Sequence, residues 1–134
     1  MDVEACQAVL RDMFAPWVQA LGLIVETAAP GEVRVRLPHS EALARVGGTV
    51  CGQALMSAAD TAMVLAISTQ LGGFRPMATV SQNTSFMRAI SGTDVLVLAR
   101  VLKPGRTLVF GEVEIRGALE DRLAVHATTT YALA

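Results

Sequence analysis

Residues 54–67 read ALMSAADTAMVLAI, a nearly unbroken apolar run in which Asp60 is the one charged residue. Two glycines, Gly72-Gly73, follow shortly after it. An apolar run of this length with a glycine stop predicts one long helix over residues 52–71, because glycine commonly caps the carboxyl end of a helix. So apolar a helix must be covered by other elements on most of its surface.

The rest of the chain supplies that cover. Residues 2–20 predict a helix that Pro16 interrupts, and the polar stretch 38–46 predicts an irregular segment with a short helical turn. Alternation and β-branched residues predict strands at 21–29, 32–37, 78–87, 94–102, 107–116 and 123–133. The short connections of the last four strands predict an antiparallel meander. We therefore expect an α+β fold in which a curved antiparallel sheet wraps a long central helix.

Asp60 marks a candidate site, because a carboxylate in an apolar helix is costly to bury without compensation. The glycine-rich segment that precedes the helix, Gly47–Gly52, can leave backbone N–H groups free at the helix start, where they bind negative charge. The two features together suggest a base and an anion pocket. A surface aspartate, or one paired with an arginine, is the alternative.

Composition excludes several classes of function. A net charge of −1 and few aromatic residues argue against a nucleic-acid partner. Cys6, Cys51 and two scattered histidines make no zinc signature, so we expect no metal. The acidic N-terminus lacks the basic region of a signal peptide, and polar residues interrupt the longest apolar run. These features predict a cytoplasmic protein that does not span a membrane.

Length and hydrophobicity bear on domains and assembly. A chain of 134 residues predicts a single domain over residues 1–134. Hydrophobic residues make up 52% of the chain and charged residues 17%, so part of the apolar surface is expected to cover a second subunit. A well-packed monomer is the alternative.

Four segments carry a resemblance to a known family. Residues 48–52 read GTVCG, and the ALMSAADTA stretch of residues 54–62 follows them. Asn83–Arg88 reads NTSFMR, and Lys103–Thr107 reads KPGRT. In order and spacing these resemble hotdog-fold acyl-CoA thioesterases, most closely the phenylacetate-pathway (PaaI-like) branch. The resemblance spans roughly residues 30–133.

The resemblance implies a hotdog fold and an activity. By position, Asp60 is the general base or the nucleophile at a thioester carbonyl, and the Gly52 N–H polarises the thioester oxygen. Thr79 falls where some relatives carry a residue that hydrogen-bonds the attacking water or the acid; an ordinary strand threonine is the alternative. No cofactor is implied, since coenzyme A is part of the substrate.

Spacing then makes a prediction about assembly. Asp60 lies eight residues beyond Gly52, which is roughly 12 Å along a helix at about 1.5 Å per residue. One carbonyl needs both groups within about 3 Å or one water, so one chain cannot supply both. Two antiparallel copies of the helix, related by a twofold axis, can supply both groups to one carbonyl. A homodimer is therefore obligatory for the site. We also expect the dimers to pair into a homotetramer.

Three positions depart from the family pattern. Cys51 stands where the family has histidine, Gln53 where it has a second glycine, and Arg45 where many members have asparagine. Arg45 could donate to the thioester oxygen, pair with Asp60 or bind a phosphate, and Gln53 could donate from its amide. We interpret Cys51 as small apolar filler rather than a nucleophile, because no histidine is near it in sequence.

Further residues are candidates for holding the substrate. Lys103 and Arg106 flank a Pro-Gly turn and could contact coenzyme A phosphates, or simply decorate a solvated hairpin tip. Arg88 could serve the same phosphates or a salt bridge. Four residues on the helix around Asp60 are predicted to line the acyl pocket, although core packing explains them equally well: Met56, Ser57, Met63 and Val64. His126 alternates with apolar residues in the last strand and is interpreted as structural.

Three functions remain in competition. Hydrolysis of an acyl-CoA to a carboxylate and free coenzyme A is favoured. A hydratase or dehydratase of the same fold would typically pair the acid with a nearby histidine, which the segment before the long helix lacks. A non-catalytic acyl-CoA binding module would keep the pocket and the phosphate contacts and leave Asp60 a structural role.

Overall fold

The computed structural model describes all residues from 1 to 134. Its helices are α1 (Val3–Met13), α2 (Pro16–Gln19) and α3 (Gly52–Leu71), with a short 3-10 turn at Glu41–Leu43. Its strands are β1 (Ile24–Ala29), β2 (Glu32–Leu37), β3 (Met77–Phe86), β4 (Val95–Pro104), β5 (Leu108–Gly117) and β6 (Val125–Leu133). The predicted hotdog architecture is confirmed: one six-stranded antiparallel sheet curves around α3.

The helix α3 begins and ends where the sequence predicted. Cys51 has extended backbone angles and caps its start without a side-chain hydrogen bond, and Gly72 ends it in the left-handed conformation at φ 80°. Alanines and branched residues of α3 pack against the inward faces of β2, β4 and β5. By length and composition this helix could cross a membrane, but 67% of its apolar window is buried inside the fold, which makes it a core helix.

The N-terminal helix is two helices because Pro16 cannot continue α1. The Gln19 side-chain amide donates to Phe14 O at 3.0 Å and to Arg11 O, and thereby ties α2 back to α1. The strand predicted from Leu21 begins only at Ile24, after a turn in which Gly22 has a φ of 70°.

The predicted four-strand meander is wrong in one respect. The sheet order is β1-β2-β4-β5-β6-β3, so β4, β5 and β6 form a meander while β3 pairs with β6 rather than with β4. Residues 87–94 carry the chain from one edge of this set of strands to its other side. As a result β3 is an edge strand, and its Val80 and Phe86 are 58% and 50% exposed.

Candidate active site

The Asp60 carboxylate is held through one of its two oxygens. Thr79 Oγ1 donates to Asp60 Oδ1 at 2.8 Å, and the Tyr131 hydroxyl donates to the same oxygen. Tyr131 Oη also lies 3.0 Å from the backbone carbonyl oxygen of Asp60. The other carboxylate oxygen, Oδ2, accepts no hydrogen bond from the chain and no cation pairs with it. A carboxylate held on one side and free on the other is arranged to act on something outside the chain.

Sheet register brings the two donors together. Thr79 on β3 and Tyr131 on β6 are direct antiparallel partners, so their side chains project from the same face of the sheet, toward α3. The β3 register shifts between Thr79 and Ser81, which is a bulge immediately beside the aspartate. Bulges re-aim side chains at such positions.

Tyr131 is fully buried, with no exposed surface. Burial raises the pKa of its phenol well above the ordinary value, and the negative charge of Asp60 and the hydrogen bond to that carboxylate raise it further. The phenol therefore stays protonated, and remains a donor, at every pH at which the protein would work.

Asp60 faces an open cleft of about 460 Å³. Five residues predicted from the sequence line it, namely Gln53, Met56, Ser57, Asp60 and Thr79. The sequence did not point to its other lining residues, which are Trp17, Val18 and Gln82. Trp17 lies on the short helix α2 and is 61% exposed, an unusual position for so large an apolar side chain. Helix α2 is only four residues long and lies far from Asp60 in the sequence. No local sequence pattern therefore indicated that Trp17 would line the Asp60 cleft.

Two of the predicted pocket residues lie elsewhere. Met63 is completely buried against the sheet, and Val64 is half-buried on α3 outside the lining of the cleft. The face of α3 that carries Asp60 presents Met56 and Ser57 to the cleft, whereas Met63 lies on the face that is buried in the core. Val64, one turn after Asp60, is half-buried and lies beyond the cleft lining.

Gly52 belongs to a second cavity, of about 320 Å³, which also contains the predicted Arg45 and Arg88. A Cβ atom placed on Gly52 would lie 3.3 Å from Cζ of Phe86, so the first turn of α3 packs against the far end of β3. Asp60 contacts Thr79, near the beginning of the same strand. Thus Gly52 and Asp60 lie against opposite ends of β3 and in different cavities of one chain.

Several cationic side chains lack an acidic partner within the chain. Arg36 and Arg100 form ion pairs with glutamates or aspartates, whereas Arg45 and Arg88 form none. Arg88 borders both the Gly52 cavity and an adjoining one of about 130 Å³, which adds Arg122. Sequence reasoning did not point to Arg122, because its loop matches no motif.

Lys103 and Arg106 are exposed around the β4–β5 turn and are also unpaired. Arg45 does not pair with Asp60 within the chain.

The remaining candidates take other positions. His126 Nε2 lies 3.1 Å from Glu112 Oε2, on the face of the sheet away from α3, consistent with a structural histidine. Cys51 is half-buried at the start of α3 and borders neither the Asp60 cleft nor the Gly52 cavity. No histidine lines either space.

Fold and site together define a class. The family model of the Thioesterase superfamily matches residues 47–124, more than half of the chain and the part that carries Gly52, Asp60 and Thr79. This chain belongs to the Thioesterase superfamily, and by that membership it is a hydrolase.

Three individual proteins illustrate the relationship. A Halobacterium salinarum protein named as a candidate esterase is 34% identical over 102 residues, which cover 71% of this chain and 66% of that relative. The crystal structure of a candidate thioesterase of Silicibacter sp. TM1040 superposes with a TM-score of 0.89 at 30% identity, over 100% of this chain and 92% of the other. The Escherichia coli PaaI protein superposes with a TM-score of 0.85 over 98% of this chain and 91% of its own; its 17% identity shows a shared fold.

Proposed function

We propose that the protein hydrolyses acyl-CoA thioesters to a carboxylate and free coenzyme A. The observation that carries the proposal is the Asp60 carboxylate, whose Oδ1 is held by Thr79 and Tyr131 while Oδ2 is left free in an open cleft. A fixed carboxylate beside a substrate-sized space is suited to take a proton from water or to attack a carbonyl carbon itself.

The chemistry needs two groups. In the general-base route, Asp60 Oδ2 removes a proton from water as its oxygen bonds to the thioester carbon. The carbonyl oxygen gains negative charge, which the Gly52 N–H at the start of α3 stabilises. The intermediate then collapses, the carbon–sulfur bond breaks, and the coenzyme A thiolate leaves and takes up the proton. In the nucleophilic route Asp60 Oδ2 attacks the thioester carbon, the carbon–sulfur bond breaks and the coenzyme A thiolate leaves. Water then hydrolyses the resulting anhydride, which releases the acyl carboxylate and restores Asp60; of the two protons that the water loses, the thiolate takes up one.

Both groups reach one carbonyl only in a dimer. The ten-residue β3 lies at the edge of the sheet, and a free edge of this length is a template for pairing with a second copy. Antiparallel pairing of two β3 edges about a twofold axis puts the Thr79 end of one strand beside the Phe86 end of the other. That arrangement brings Asp60 to Gly52 of the partner subunit, and it produces two equivalent sites. A further pairing of dimers into a tetramer is part of the proposal.

The same arrangement suggests where the coenzyme A phosphates bind. Arg45, Arg88 and Arg122 of the partner subunit would continue the composite site beyond Gly52, and guanidinium groups suit phosphate geometry. The turn with Lys103 and Arg106 lies at the end of β5 where Val109 pairs with Tyr131, which is the Asp60 end of the sheet. Both cationic groups therefore approach the same composite site from opposite sides.

Of the two other functions, the hydratase is disfavoured because no histidine lines the Asp60 cleft or the Gly52 cavity. The non-catalytic binding module predicts the same cavities without turnover, and it is an outcome of the test below.

The test measures thiol release from a panel of short, medium, long and aryl acyl-CoAs, for the wild type, for Asp60→Asn and for a control, Asp121→Asn. Asp121 is an exposed aspartate outside both spaces. We expect Asp60→Asn to lose roughly 100-fold or more in kcat, the usual scale of general-base catalysis, and Asp121→Asn to match the wild type. A folded Asp60→Asn variant with full activity would contradict the mechanism. Binding of acyl-CoA with no turnover by any of the three proteins would favour the binding module.

A further inference from the structure

We infer that Tyr131 is a positioning residue for Asp60: its buried hydroxyl fixes the carboxylate so that Oδ2 is the atom presented to substrate. The inference rests on the proposed function, because it assigns Tyr131 a role in the catalytic step. Tyr131 lies 71 residues from Asp60 along the chain and belongs to the last strand.

The Tyr131 hydroxyl contacts both the backbone and the side chain of Asp60. The hydroxyl reaches both the carboxylate Oδ1 and the backbone carbonyl oxygen of Asp60, the latter at 3.0 Å. A contact that spans backbone and side chain of the same residue restricts the side-chain torsion between them. Thr79 donates to the same Oδ1 from the neighbouring strand. Two donors on one oxygen leave the other oxygen without a partner in the chain and available to a molecule in the cleft that Asp60 lines.

A buried phenol hydroxyl needs only one hydrogen-bond acceptor, and Tyr131 has two within reach. A tyrosine hydroxyl has one proton to donate, and the helix carbonyl alone would serve as its acceptor. The additional approach to the carboxylate is what links the core of the sheet to the reacting group. Burial raises the pKa of the phenol above its ordinary value, so the hydroxyl keeps its proton and remains a donor toward Asp60 from neutral pH into the alkaline range.

A matched control lies on the same strand. Thr129 is two residues before Tyr131, is also buried, and its hydroxyl has no hydrogen-bond partner. Thr129→Val removes a buried hydroxyl from β6 without touching Asp60, and Tyr131→Phe removes one that does touch it. Both replacements keep the shape of the side chain.

The experiment compares kcat and KM of the two variants on the best acyl-CoA substrate. We expect Tyr131→Phe to lower kcat by about 10- to 100-fold with KM changed less than about twofold, as misplacing a catalytic group does. Thr129→Val should keep the wild-type kcat. In an Asp60→Asn background, Tyr131→Phe should cause no further loss, because it acts through Asp60. A folded Tyr131→Phe variant with kcat within about twofold of the wild type overturns the inference.

A second measurement depends neither on activity nor on the Tyr131→Phe variant, and it is made on Asp60→Asn and Asp121→Asn proteins shown to be folded. The chain contains one tyrosine, so growth on 3-fluorotyrosine places a single fluorine label at Tyr131 of the otherwise unchanged protein. We expect its ¹⁹F resonance to shift when Asp60→Asn is introduced and to stay unchanged in Asp121→Asn. An unchanged resonance in Asp60→Asn overturns the inference. If the wild type hydrolyses no acyl-CoA while the Asp60-dependent shift is present, the contact stands, but the proposed function and the catalytic role inferred from it fail.

Discussion

Thr79 and Tyr131 stand opposite each other on two paired strands and donate their hydroxyls to the same oxygen of Asp60. The acid belongs to the helix, yet the groups that orient it belong to the sheet. The packing of α3 against the sheet thus decides where the free carboxylate oxygen lies. Changes that loosen this packing are expected to lower activity before they unfold the protein.

Thr79→Val should lower kcat by about tenfold, the size of losing one hydrogen bond to a charged group. Valine keeps the branched shape that suits a strand. The control is Thr128→Val on the exposed face of β6, which has no contact with Asp60. The measurement is kcat of the two variants from steady-state kinetics. Equal values of kcat would mean that Thr79 has a structural role in β3 and no role in orienting Asp60.

Complementation between inactive subunits tests the composite site. Gly52→Pro removes the proposed oxyanion N–H, and the first helical position accepts proline because Cys51 before it is already extended. Gly52→Ala, which keeps the N–H and meets Phe86 in the same way, is the control.

We expect Gly52→Pro and Asp60→Asn to be inactive separately. Random assortment of equal amounts should restore about one quarter of wild-type activity, since about half of the dimers are hybrids with one intact site of two. The measurement is thiol release after co-expression or after unfolding and refolding the mixture. No recovery in a mixture shown to contain hybrids would place both groups in the same chain's site.

The single tyrosine predicts an unusual alkaline titration. Its raised pKa means that the folded protein holds the phenolic proton more tightly than the unfolded chain, whose phenol ionises at about pH 10. The resulting contribution to the free energy of unfolding is fully present below pH 10 and is lost as the pH rises above it. Near-ultraviolet absorbance should show no tyrosinate in the folded protein at pH 10–11, and denaturant should release it.

Ionisation of Tyr131 is also expected to make the free energy of unfolding depend on pH in the alkaline range. Denaturant midpoints measured from about pH 9 to pH 11 should fall more steeply for the wild type than for Tyr131→Phe, which has no phenol to ionise. Parallel curves for the two proteins would show that the phenol ionises as readily in the folded state as in the unfolded one.

Gly111 on β5 packs directly against Met63 of α3. A Cβ atom there would lie 2.5 Å from both Sδ and Cε of Met63 and 2.9 Å from Arg100 O. Gly111→Ala should therefore destabilise the fold by about 1–3 kcal/mol, the typical cost of overpacking. Gly73→Ala is the control, because no atom lies within 4 Å of the added Cβ and its φ is not positive. Denaturant unfolding of both variants tests this, and equal midpoints would show that Met63 moves aside freely.

Arg88→Ala and Arg122→Ala should each raise KM for acyl-CoA by about three- to fivefold and leave kcat unchanged, the effect of one solvent-exposed charge contact. The increase should shrink as salt is added. Arg34→Ala, an arginine on β2 that likewise has no ion pair, is the control. The same assay on Lys103→Ala and Arg106→Ala tests the hairpin group. A KM change no larger than that of the control would remove a residue from the phosphate site.

Local signals explain what the sequence predicted well. The bounds of α3 follow from glycines within one turn of its ends, and β2 follows from strict alternation over six residues. Pairing of β3 with β6 joins residues that lie about 40 to 55 positions apart in the sequence, and no local pattern distinguishes it from pairing with β4. The site shows the same division. Asp60 is conspicuous in the sequence because its neighbours are apolar. Tyr131 lies in an ordinary strand sequence, and only the pairing of β6 with β3 places it beside Thr79 and Asp60.

The position of Asp60 on a continuous helix restricts how this segment of the chain can change over evolution. One residue inserted between Gly52 and Asp60 would rotate the carboxylate by about 100° around the helix axis and move it about 1.5 Å along it. It would then miss Thr79 and Tyr131, whose places are set by the sheet. Homologous sequences that retain this site are thus expected to vary in length within the loop of residues 38–46 and to keep the interval of eight residues from Gly52 to Asp60 unchanged.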